Sequence, residues 1–191
     1  MLRTNPPFLT YAEELYNRQQ RKEDIIIKQY SKGQRLFLQK EEAVKVMFIK
    51  EGIVKCFFTE NNDKDYILEF LGKGEIIGEI ECIRNISCLC TIEAITDVTV
   101  YAFSVPYFRS LLICDLELNK LLMNTFAERI INTSSRASYQ QLYTIDYSLN
   151  KLLDLQSRIG IELSKEDMAS YLGITVRSLN RGLKDLDRKS S

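Results

Sequence analysis

The distribution of apolar and polar positions divides the chain into a β-rich part followed by a helical part. Between residues 25 and 103, short runs rich in β-branched and aromatic residues alternate with turn signals at 31–33, 61–63 and 72–74. Many short strands at near-regular spacing are typical of a sandwich or a barrel. The clearest predicted hairpin has its tip at 61–63, because Asn and Asp tolerate positive φ. A short amphipathic helix is predicted before the strands, at residues 12–22.

A long helix is predicted from about residue 116 to residue 143, since this stretch contains no glycine and no proline. One of its faces is mostly apolar, and a helix between two compact units has too little of its own chain to cover such a face. We therefore expect a second copy of the helix to cover it, which predicts a homodimer. The face comprises Leu118, Leu121, Leu122, Thr125, Phe126, Arg129 and Ile130.

Residues 163–186 have the pattern of two short helices joined by a tight turn. Ser164 can cap the first helix, with Asp167 completing a reciprocal capping pair, and Gly173 ends that helix. Thr175 can cap the second helix, which predicts a helix-turn-helix whose second helix faces a DNA major groove. The residues predicted to contact DNA are Thr175, Val176, Arg177, Ser178, Asn180, Arg181 and Lys184.

The charge distribution favours DNA binding only near the end of the chain. Overall, 26 basic residues balance 26 acidic residues, so the whole molecule has no field that attracts DNA or an anionic membrane. Residues 175–191 contain five basic and two acidic residues, a local surplus of three positive charges. The simpler alternative is a helical hairpin with a solvated basic face.

Composition argues against several other classes of protein. The chain has no histidine, which removes the commonest general base and metal ligand. It also lacks a phosphate-cradling loop of the form G-x-x-x-x-G-K-[ST], so we expect neither an enzyme nor a cofactor. No apolar run approaches the roughly 18 residues that span a bilayer, and residues 1–11 lack the apolar core of a signal peptide. These features predict a cytoplasmic protein without a membrane partner.

The five cysteines are an odd number in a chain expected to stay in a reducing compartment, which argues against a disulfide framework. Cys82, Cys88 and Cys90 lie close together in sequence, so a cluster, a zinc ion or a redox-active thiol is one interpretation. Buried core thiols are the favoured interpretation, because cysteine is among the most commonly buried residue types. We expect no metal.

In the order of its parts the chain resembles the Crp/Fnr superfamily of bacterial transcription regulators, from about residue 30 to residue 186. The resemblance is carried by MFIKEGIVK at 47–55, by FLGKGEIIGEI at 70–80, where the family has its phosphate cassette, and by the helix-turn-helix at 164–183. It implies an α+β fold with an N-terminal antiparallel β-roll of the cyclic-nucleotide-binding, jelly-roll type. A long dimerisation helix and a C-terminal helix-turn-helix of the winged-helix kind would follow.

The resemblance also implies an effector pocket in the β-roll. Family members that bind cyclic nucleotides carry a glutamate for the ribose and an arginine for the cyclic phosphate. Glu79 matches the glutamate, but Cys88 stands where the arginine is expected, and that loss forfeits a charge-assisted interaction of about 1.5–3 kcal/mol. Arg84 lies nearby but out of register. We therefore expect a small-molecule effector other than cyclic AMP. The predicted pocket residues are Gly78, Glu79, Ile80, Cys88, Leu89 and Cys90.

The recognition helix departs from the family pattern in two ways. Arg181 matches a base-reading arginine of the family, but Val176 and Arg177 stand where an arginine and a glutamate are typical. Gly182 occupies a position that is normally apolar, at a cost of about 1 kcal/mol in helix propensity. The sequence also ends at Ser191, so we expect the wing of the winged helix to be missing.

These observations predict three parts: a sensor domain at 1–114, a dimerisation helix at 115–143 and a DNA-binding domain at 144–191, truncated before the wing. The predicted function is a Crp/Fnr-type transcription regulator that binds double-stranded DNA as a homodimer. The alternative is a β-roll that binds a ligand or a protein and carries a vestigial helix-turn-helix, which Gly182 and the missing wing would explain.

Overall fold

The structure is a computed structural model that describes residues 2–190. Nine strands and seven helices follow one another in these residues, with the strands confined to the first 104 residues. The strands are β1 (Leu2–Arg3), β2 (Ile25–Tyr30), β3 (Arg35–Phe37), β4 (Lys45–Glu51), β5 (Val54–Thr59), β6 (Asp65–Leu71), β7 (Ile76–Ile77), β8 (Thr91–Ala94) and β9 (Val98–Ser104). The helices are α1 (Pro6–Arg18), α2 (Glu79–Arg84), α3 (Val105–Cys114), α4 (Leu116–Leu142), α5 (Ile145–Ile159), α6 (Lys165–Leu172) and α7 (Val176–Ser190).

The strands form the predicted β-roll of two sheets. One sheet has the order β1-β6-β5-β8-β3 and the other the order β2-β9-β4-β7. All neighbouring strands are antiparallel except β1 and β6, which are parallel. Apolar side chains from both sheets meet in one buried cluster that includes Ile49 and Val100 from one sheet and Val54 and Ile92 from the other. The prediction of an antiparallel jelly roll followed by helices is confirmed.

Two local predictions differ from the structure. The leading helix begins at Pro6 rather than near residue 12, because Asn5 Oδ1 accepts a hydrogen bond from Phe8 N at 3.3 Å and proline suits the first helical turn. The sequence has one continuous β-prone run from 91 to 103, but the structure has two strands there, β8 and β9, separated by three residues. The hairpin tip at 61–63 lies between β5 and β6 as predicted, with Asp63 at φ 56°.

Helices α1 and α3 and the start of α4 cover the outer face of the four-stranded sheet. The rings of Phe8 and Phe48 lie 5.4 Å apart and those of Phe48 and Phe103 lie 4.8 Å apart. Leu118 and Leu122 of α4 are buried in the same cluster. Burying side chains of this size contributes roughly 1.5–3 kcal/mol each, so this cluster holds α4 firmly on the β-roll.

The apolar face of α4 that we expected to meet a partner is therefore largely covered by the chain itself. Leu118, Leu122 and Thr125 are 0–3% exposed, and Phe126 packs against the same cluster. The correction has a simple reason: the β-roll presents an apolar outer face that the strand pattern alone did not reveal. Ile130 differs from these neighbours, since it is 68% exposed.

Helices α5, α6 and α7 pack on the outer face of the five-stranded sheet. Phe57, Ile67 and Phe70 of this sheet share a buried cluster with apolar side chains of the three helices. The helical members that are fully buried or nearly so are Leu149, Leu152, Leu155, Met168, Ala169 and Leu179, and Leu163 joins them from the loop between α5 and α6. None of the helices within residues 2–190 combines the length and the apolar character needed to cross a membrane.

Candidate functional site

The turn between α6 and α7 has the geometry of the predicted helix-turn-helix. Ser164 Oγ accepts from Asp167 N at 3.0 Å, which caps α6, and Gly173 ends the helix at φ +68°. Only a residue that tolerates positive φ can turn the chain in this way. Thr175 Oγ1 then accepts from Ser178 N at 3.1 Å and caps α7. The two caps and the turn residue proposed from the sequence are thus confirmed.

The reciprocal half of the first cap is not formed. Asp167 Oδ1 lies 2.7 Å from Nζ of Lys55, a residue of β5, instead of returning to the backbone of Ser164. Lys55 Nζ also lies 3.0 Å from Glu93 Oε1, so the ammonium group sits between two carboxylates. An ammonium partner binds a carboxylate more strongly than a backbone amide does, which explains the difference. This ion pair ties α6 to the β-roll.

Three basic side chains project from one face of α7. Arg177, Arg181 and Lys184 are exposed, and spacings of four and three residues place them on the same side of the helix. No described residue forms an ion pair or a hydrogen bond with any of the three. Leu179 is fully buried on the opposite side. The arrangement leaves a row of cationic groups free to meet an anionic surface.

The other four residues predicted to contact DNA have different surroundings. Thr175 and Ser178 bond to each other through their hydroxyls at 3.0 Å, so both contribute to capping. Val176 is half-buried and packs against the cluster under the helices, although the sequence placed it on the outward face. Asn180 is half-buried.

Gly182 lies where α5 and α7 cross. It is buried, and a Cβ on this residue would lie 3.2 Å from Leu149 Cδ2, tighter than ordinary van der Waals contact. Leu149 is itself fully buried. The glycine therefore allows the two helices to approach closely, and its low helix propensity is offset by this packing.

The predicted effector residues cluster around the start of α2. Gly78 adopts φ +85°, and a Cβ there would lie 2.8 Å from the carbonyl oxygen of Lys45 and 2.9 Å from Phe37 Cζ, so glycine is required. Glu79 follows as the first residue of α2 and is only 2% exposed. Its Oε1 accepts a hydrogen bond from Nη1 of Arg129 in α4.

Arg129 is the centre of a buried ionic network. Its Nη2 lies 3.1 Å from Glu75 Oε2 and donates to the carbonyl of Ile76 at 2.9 Å. Glu75 is shared with Arg3, whose Nη2 lies 3.6 Å away. Burial raises the pKa of Glu79 above its usual range, against the opposite effect of the guanidinium. Burial by itself lowers the pKa of Arg129, but the two carboxylates raise it overall, so the arginine stays protonated.

The network changes the interpretation of the glutamate. In this structure Glu79 is engaged by an arginine of its own chain, and Arg129 Nε is buried without a hydrogen-bond partner among the described residues. Sequence reasoning placed Arg129 on the face of α4 that was assigned to a partner helix. No local signal connects residues 50 positions apart, so only the packing of α4 on the β-roll reveals this contact.

The second half of the predicted effector site lies between α2 and β8. Cys88 is 4% exposed, and its backbone is held by hydrogen bonds of 2.8 Å with Lys40 N and Glu41 O. Leu89 is 43% exposed and Ile80 is half-buried. Cys90 turns inward, with its Sγ 2.8 Å from Sγ of Cys56 in β5. Arg84 is exposed at the end of α2.

The six predicted effector residues lie apart from the main surface groove of the β-roll. The surface groove that passes Tyr30, Glu51, Lys73 and Asp97 includes none of them. Within residues 2–190, no group of three or more acidic or cysteine side chains is arranged to hold a metal ion. The site combines a buried ion pair, Glu79 with Arg129, and a set of closely spaced thiols.

Comparison with known proteins connects these features to a family. Residues 27–113 match the family "Cyclic nucleotide-binding domain". A comparison with curated protein sequences gives no match.

Several solved structures, the following three among them, resemble the chain over most of its length. The c-di-GMP responsive global regulator CLP of Xanthomonas campestris is 17% identical, with a TM-score of 0.81 over 95% of this chain and 93% of that chain. FixK2 of Bradyrhizobium japonicum is 19% identical, with a TM-score of 0.70 over 87% and 86%. A transcriptional regulator of the CRP family from Thermus thermophilus is 18% identical, with a TM-score of 0.74 over 85% of both chains. Residues 27–113 thus match the cyclic nucleotide-binding domain, and the chain as a whole has the fold of Crp/Fnr transcription regulators.

Proposed function

We propose that the chain is a homodimeric, DNA-binding transcription regulator of the Crp/Fnr type whose β-roll responds to an effector other than cyclic AMP. Residues 1–114 are the sensor, 115–143 the dimerisation helix and 144–191 the DNA-binding domain. The role is regulatory rather than catalytic. The observation that carries the proposal is the row of exposed basic side chains, Arg177, Arg181 and Lys184, on the second helix of a capped helix-turn-helix.

The row suits DNA in both charge and shape. Arg177 and Arg181 lie one helical turn apart, and Lys184 lies further along the same face, so an α-helix in a major groove would bring all three to the duplex. Arginine can donate two parallel hydrogen bonds to the O6 and N7 edge of guanine, whereas lysine contacts phosphate as a point charge. We assign Arg181 to base reading and Lys184 to the backbone.

A second copy of the chain fits the remaining exposed face of α4. Leu116, Met123 and Ile130 are 84%, 68% and 68% exposed and are spaced seven residues apart. The seam of a two-stranded coiled coil has two apolar positions in every seven residues, and a stripe spaced by seven supplies one of them. This seam lies on the side of α4 that its own β-roll leaves uncovered, so a partner helix can reach it without disturbing the Arg129 network.

The effector assignment rests on Cys88. A cyclic phosphate at the cassette would meet a buried thiol where a permanent positive charge is needed, and Glu79 is already engaged by Arg129. Calorimetry with cyclic AMP at micromolar protein should therefore show no binding. A saturable isotherm would overturn this part of the proposal.

The alternative is a β-roll interaction module with a vestigial helix-turn-helix. Gly182 was one of the two features in its favour, and the close crossing of α5 and α7 gives that glycine a packing role instead. This leaves the regulator as the better-supported function.

A gel shift with DNA from upstream of the protein's own gene tests the proposal. The wild-type chain should retard this DNA, and the triple variant Arg177→Ala, Arg181→Ala, Lys184→Ala should not. The matched control removes the same charge from exposed residues of the β-roll, Lys22→Ala, Lys28→Ala, Lys32→Ala, and should bind as the wild type does. Equal losses in the two variants would indicate nonspecific attraction, and no retardation by the folded wild type would favour the interaction module.

A further inference from the structure

Two cysteine thiols meet inside the β-roll. Cys56 Sγ and Cys90 Sγ lie 2.8 Å apart, although the residues are 34 positions apart in sequence. Cys56 is 6% exposed in the cluster between the sheets, and Cys90 is half-buried at its edge. Of the other cysteines, Cys82 belongs to the cluster under α1 and Cys114 is exposed, whereas Cys88 is buried in the same cluster as Cys56.

The backbone explains why the two sulfurs meet. Cys56 pairs with Ile92 in the antiparallel β5–β8 ladder, so Cys90, two residues before Ile92, is its diagonal neighbour across the strands. Side chains in this relation can touch. A disulfide bond is about 2.05 Å long, so the sulfurs need to approach each other by only about 0.8 Å to form one.

We propose that Cys56 and Cys90 form a redox modification site that closes to an intramolecular disulfide when the protein meets a peroxide or a low-molecular-weight disulfide. The proposal goes beyond DNA binding, because the disulfide can form whether or not the chain binds DNA. Cys56 and Cys90 are then a reactive pair rather than the inert core thiols that the sequence favoured.

With hydrogen peroxide the step has a definite order. Cys90 is the more accessible thiol, so its thiolate attacks one peroxide oxygen, the O–O bond breaks, and Cys90 becomes a sulfenic acid as hydroxide leaves. Cys56 Sγ then attacks the Cys90 sulfur, the S–O bond breaks, and a water molecule leaves with the proton of Cys56. Two thiols are oxidised and one peroxide is reduced to two water molecules.

The environment of Cys56 is consistent with this order. Its contact with Cys90 and its burial both raise the pKa of the Cys56 thiol well above its usual range. A buried, protonated thiol is a poor first nucleophile towards a dissolved oxidant. It is well placed to resolve a sulfenic acid that forms beside it.

The pair is also next to the surface that holds the helix-turn-helix. Lys55 Nζ lies 2.7 Å from Asp167 Oδ1, and Phe57 belongs to the cluster shared with α5, α6 and α7. Cys56 lies between these two residues in β5. Drawing Cys56 towards Cys90 should therefore shift both contacts, which would make the seating of the helix-turn-helix sensitive to oxidation. This last consequence rests on the proposed function.

Peptide mapping of the full chain tests the site. The reduced protein is treated with hydrogen peroxide or, separately, with oxidised glutathione, then alkylated and digested with trypsin without reduction. Cleavage after Lys55, Lys64, Arg84 and Arg109 gives peptides 56–64 and 85–109. If the disulfide has formed, the two peptides should appear as one linked species whose mass is the sum of their masses less two hydrogen atoms. Because peptide 85–109 holds both Cys88 and Cys90, the Cys88→Ala variant identifies the partner.

The expected result is a linked species in the wild type, in Cys88→Ala and in Cys114→Ala, and its loss in Cys90→Ala and Cys56→Ala. Cys90→Ala changes a half-buried side chain, so this variant should fold even if Cys56→Ala does not. A wild type whose Cys56 and Cys90 are both fully alkylated after oxidation would overturn the proposal, as would a link that survives in Cys90→Ala. If the disulfide forms but the protein binds DNA in neither the reduced nor the oxidised state, the redox site is supported and only the proposed DNA-binding function is refuted.

Discussion

The guanidinium carbon of Arg136 lies 4.1 Å from the centre of the Tyr171 ring, and Arg136 Nη2 donates to the Tyr171 carbonyl at 2.6 Å. The same guanidinium donates to the carbonyls of Ile67 and Leu68 in β6. Leu68 is the extra residue of a β-bulge, so it faces no residue of β5. One side chain of α4 thus joins the β-roll to the first helix of the helix-turn-helix.

Removal of this side chain should loosen the junction. Arg136→Ala leaves three carbonyls without their charged donor, so we expect the free energy of unfolding to fall by about 1.5–3 kcal/mol, measured by urea denaturation. Arg136→Lys should recover only part of the loss, because an ammonium group does not present the planar fork of donors. The control Arg158→Ala alters an exposed arginine and should change stability by less than about 0.5 kcal/mol. Equal stabilities for the two alanine variants would show that the junction does not depend on Arg136.

The two faces of α4 predict opposite behaviour for two glutamate substitutions. Ile130→Glu places a charge on the exposed seam, so the protein should remain folded but sediment near its chain mass of 22.2 kDa instead of about twice that value. Leu122→Glu places a charge in the chain's own core and should unfold the β-roll. A wild type that is monomeric at micromolar concentration, or an Ile130→Glu variant that stays dimeric, would contradict the assigned seam.

The thiol of Cys88 should titrate late. Burial, with smaller effects from Glu81 and Cys90, raises the pKa of Cys88 from 9.0 to about 11. Because the folded-state pKa is the higher one, the thiol contributes stability that is complete below the ordinary pKa and is lost as the pH rises through about 11. Alkylation of Cys88 by iodoacetamide should therefore be slow at pH 8 and accelerate steeply towards pH 11.

The control for this titration is the exposed thiol of Cys114, which should react rapidly at pH 8. The alkaline decrease in the free energy of unfolding should also be smaller in Cys88→Ala than in Cys114→Ala. Rapid alkylation of Cys88 at pH 8 would show that this thiol is not buried in solution.

Gly182 should not tolerate a large side chain. Leucine at this position must displace the fully buried Leu149, so Gly182→Leu should lower the free energy of unfolding by about 1–3 kcal/mol, measured in urea. Lys184→Leu places the same side chain on the exposed face of α7 and should change stability by less than about 0.5 kcal/mol. If the two variants were equally stable, the close crossing of α5 and α7 would not explain the glycine, and the vestigial interpretation would regain support.

Local sequence signals predicted local structure well. Ser164, Gly173 and Thr175 act as proposed because capping and positive φ depend on the residue itself and its nearest neighbours. The short apolar runs predicted a sandwich or a barrel for the same reason, and the resemblance to Crp/Fnr regulators narrowed that prediction to a β-roll. The hairpin tip at 61–63 was also predicted correctly, because Asn and Asp between two strands favour a turn.

Contacts between distant residues were not predicted. Arg129 binds Glu79 across 50 positions and Lys55 binds Asp167 across 112. Each depends on how a helix is seated on the β-roll, which no periodicity in the sequence specifies. The pairing of Cys56 with Cys90 has the same origin, because it depends on the register of two strands. The apolar face of α4 was identified, but which part meets a partner depends on the surface beneath it.

The central claim is that α7 reads DNA, and Arg181 and Lys184 are expected to contribute differently. Arg181→Ala should weaken binding to the specific site by about 1–3 kcal/mol and relax the preference at one base pair, since a bidentate contact to guanine is lost. Lys184→Ala should weaken specific and scrambled DNA about equally and reduce the salt slope by roughly one, since one phosphate contact is lost. A dimer should place the half-site centres about 10 base pairs apart.

The most direct measurement is a titration of the wild type, Arg181→Ala and Lys184→Ala on specific and scrambled duplexes at two salt concentrations. The account predicts that Arg181→Ala loses affinity mainly for the specific duplex, whereas Lys184→Ala loses it for both duplexes. Equal losses for Arg181→Ala on the two duplexes would reassign this arginine to the phosphates. Unchanged affinity in both variants would contradict DNA recognition by α7.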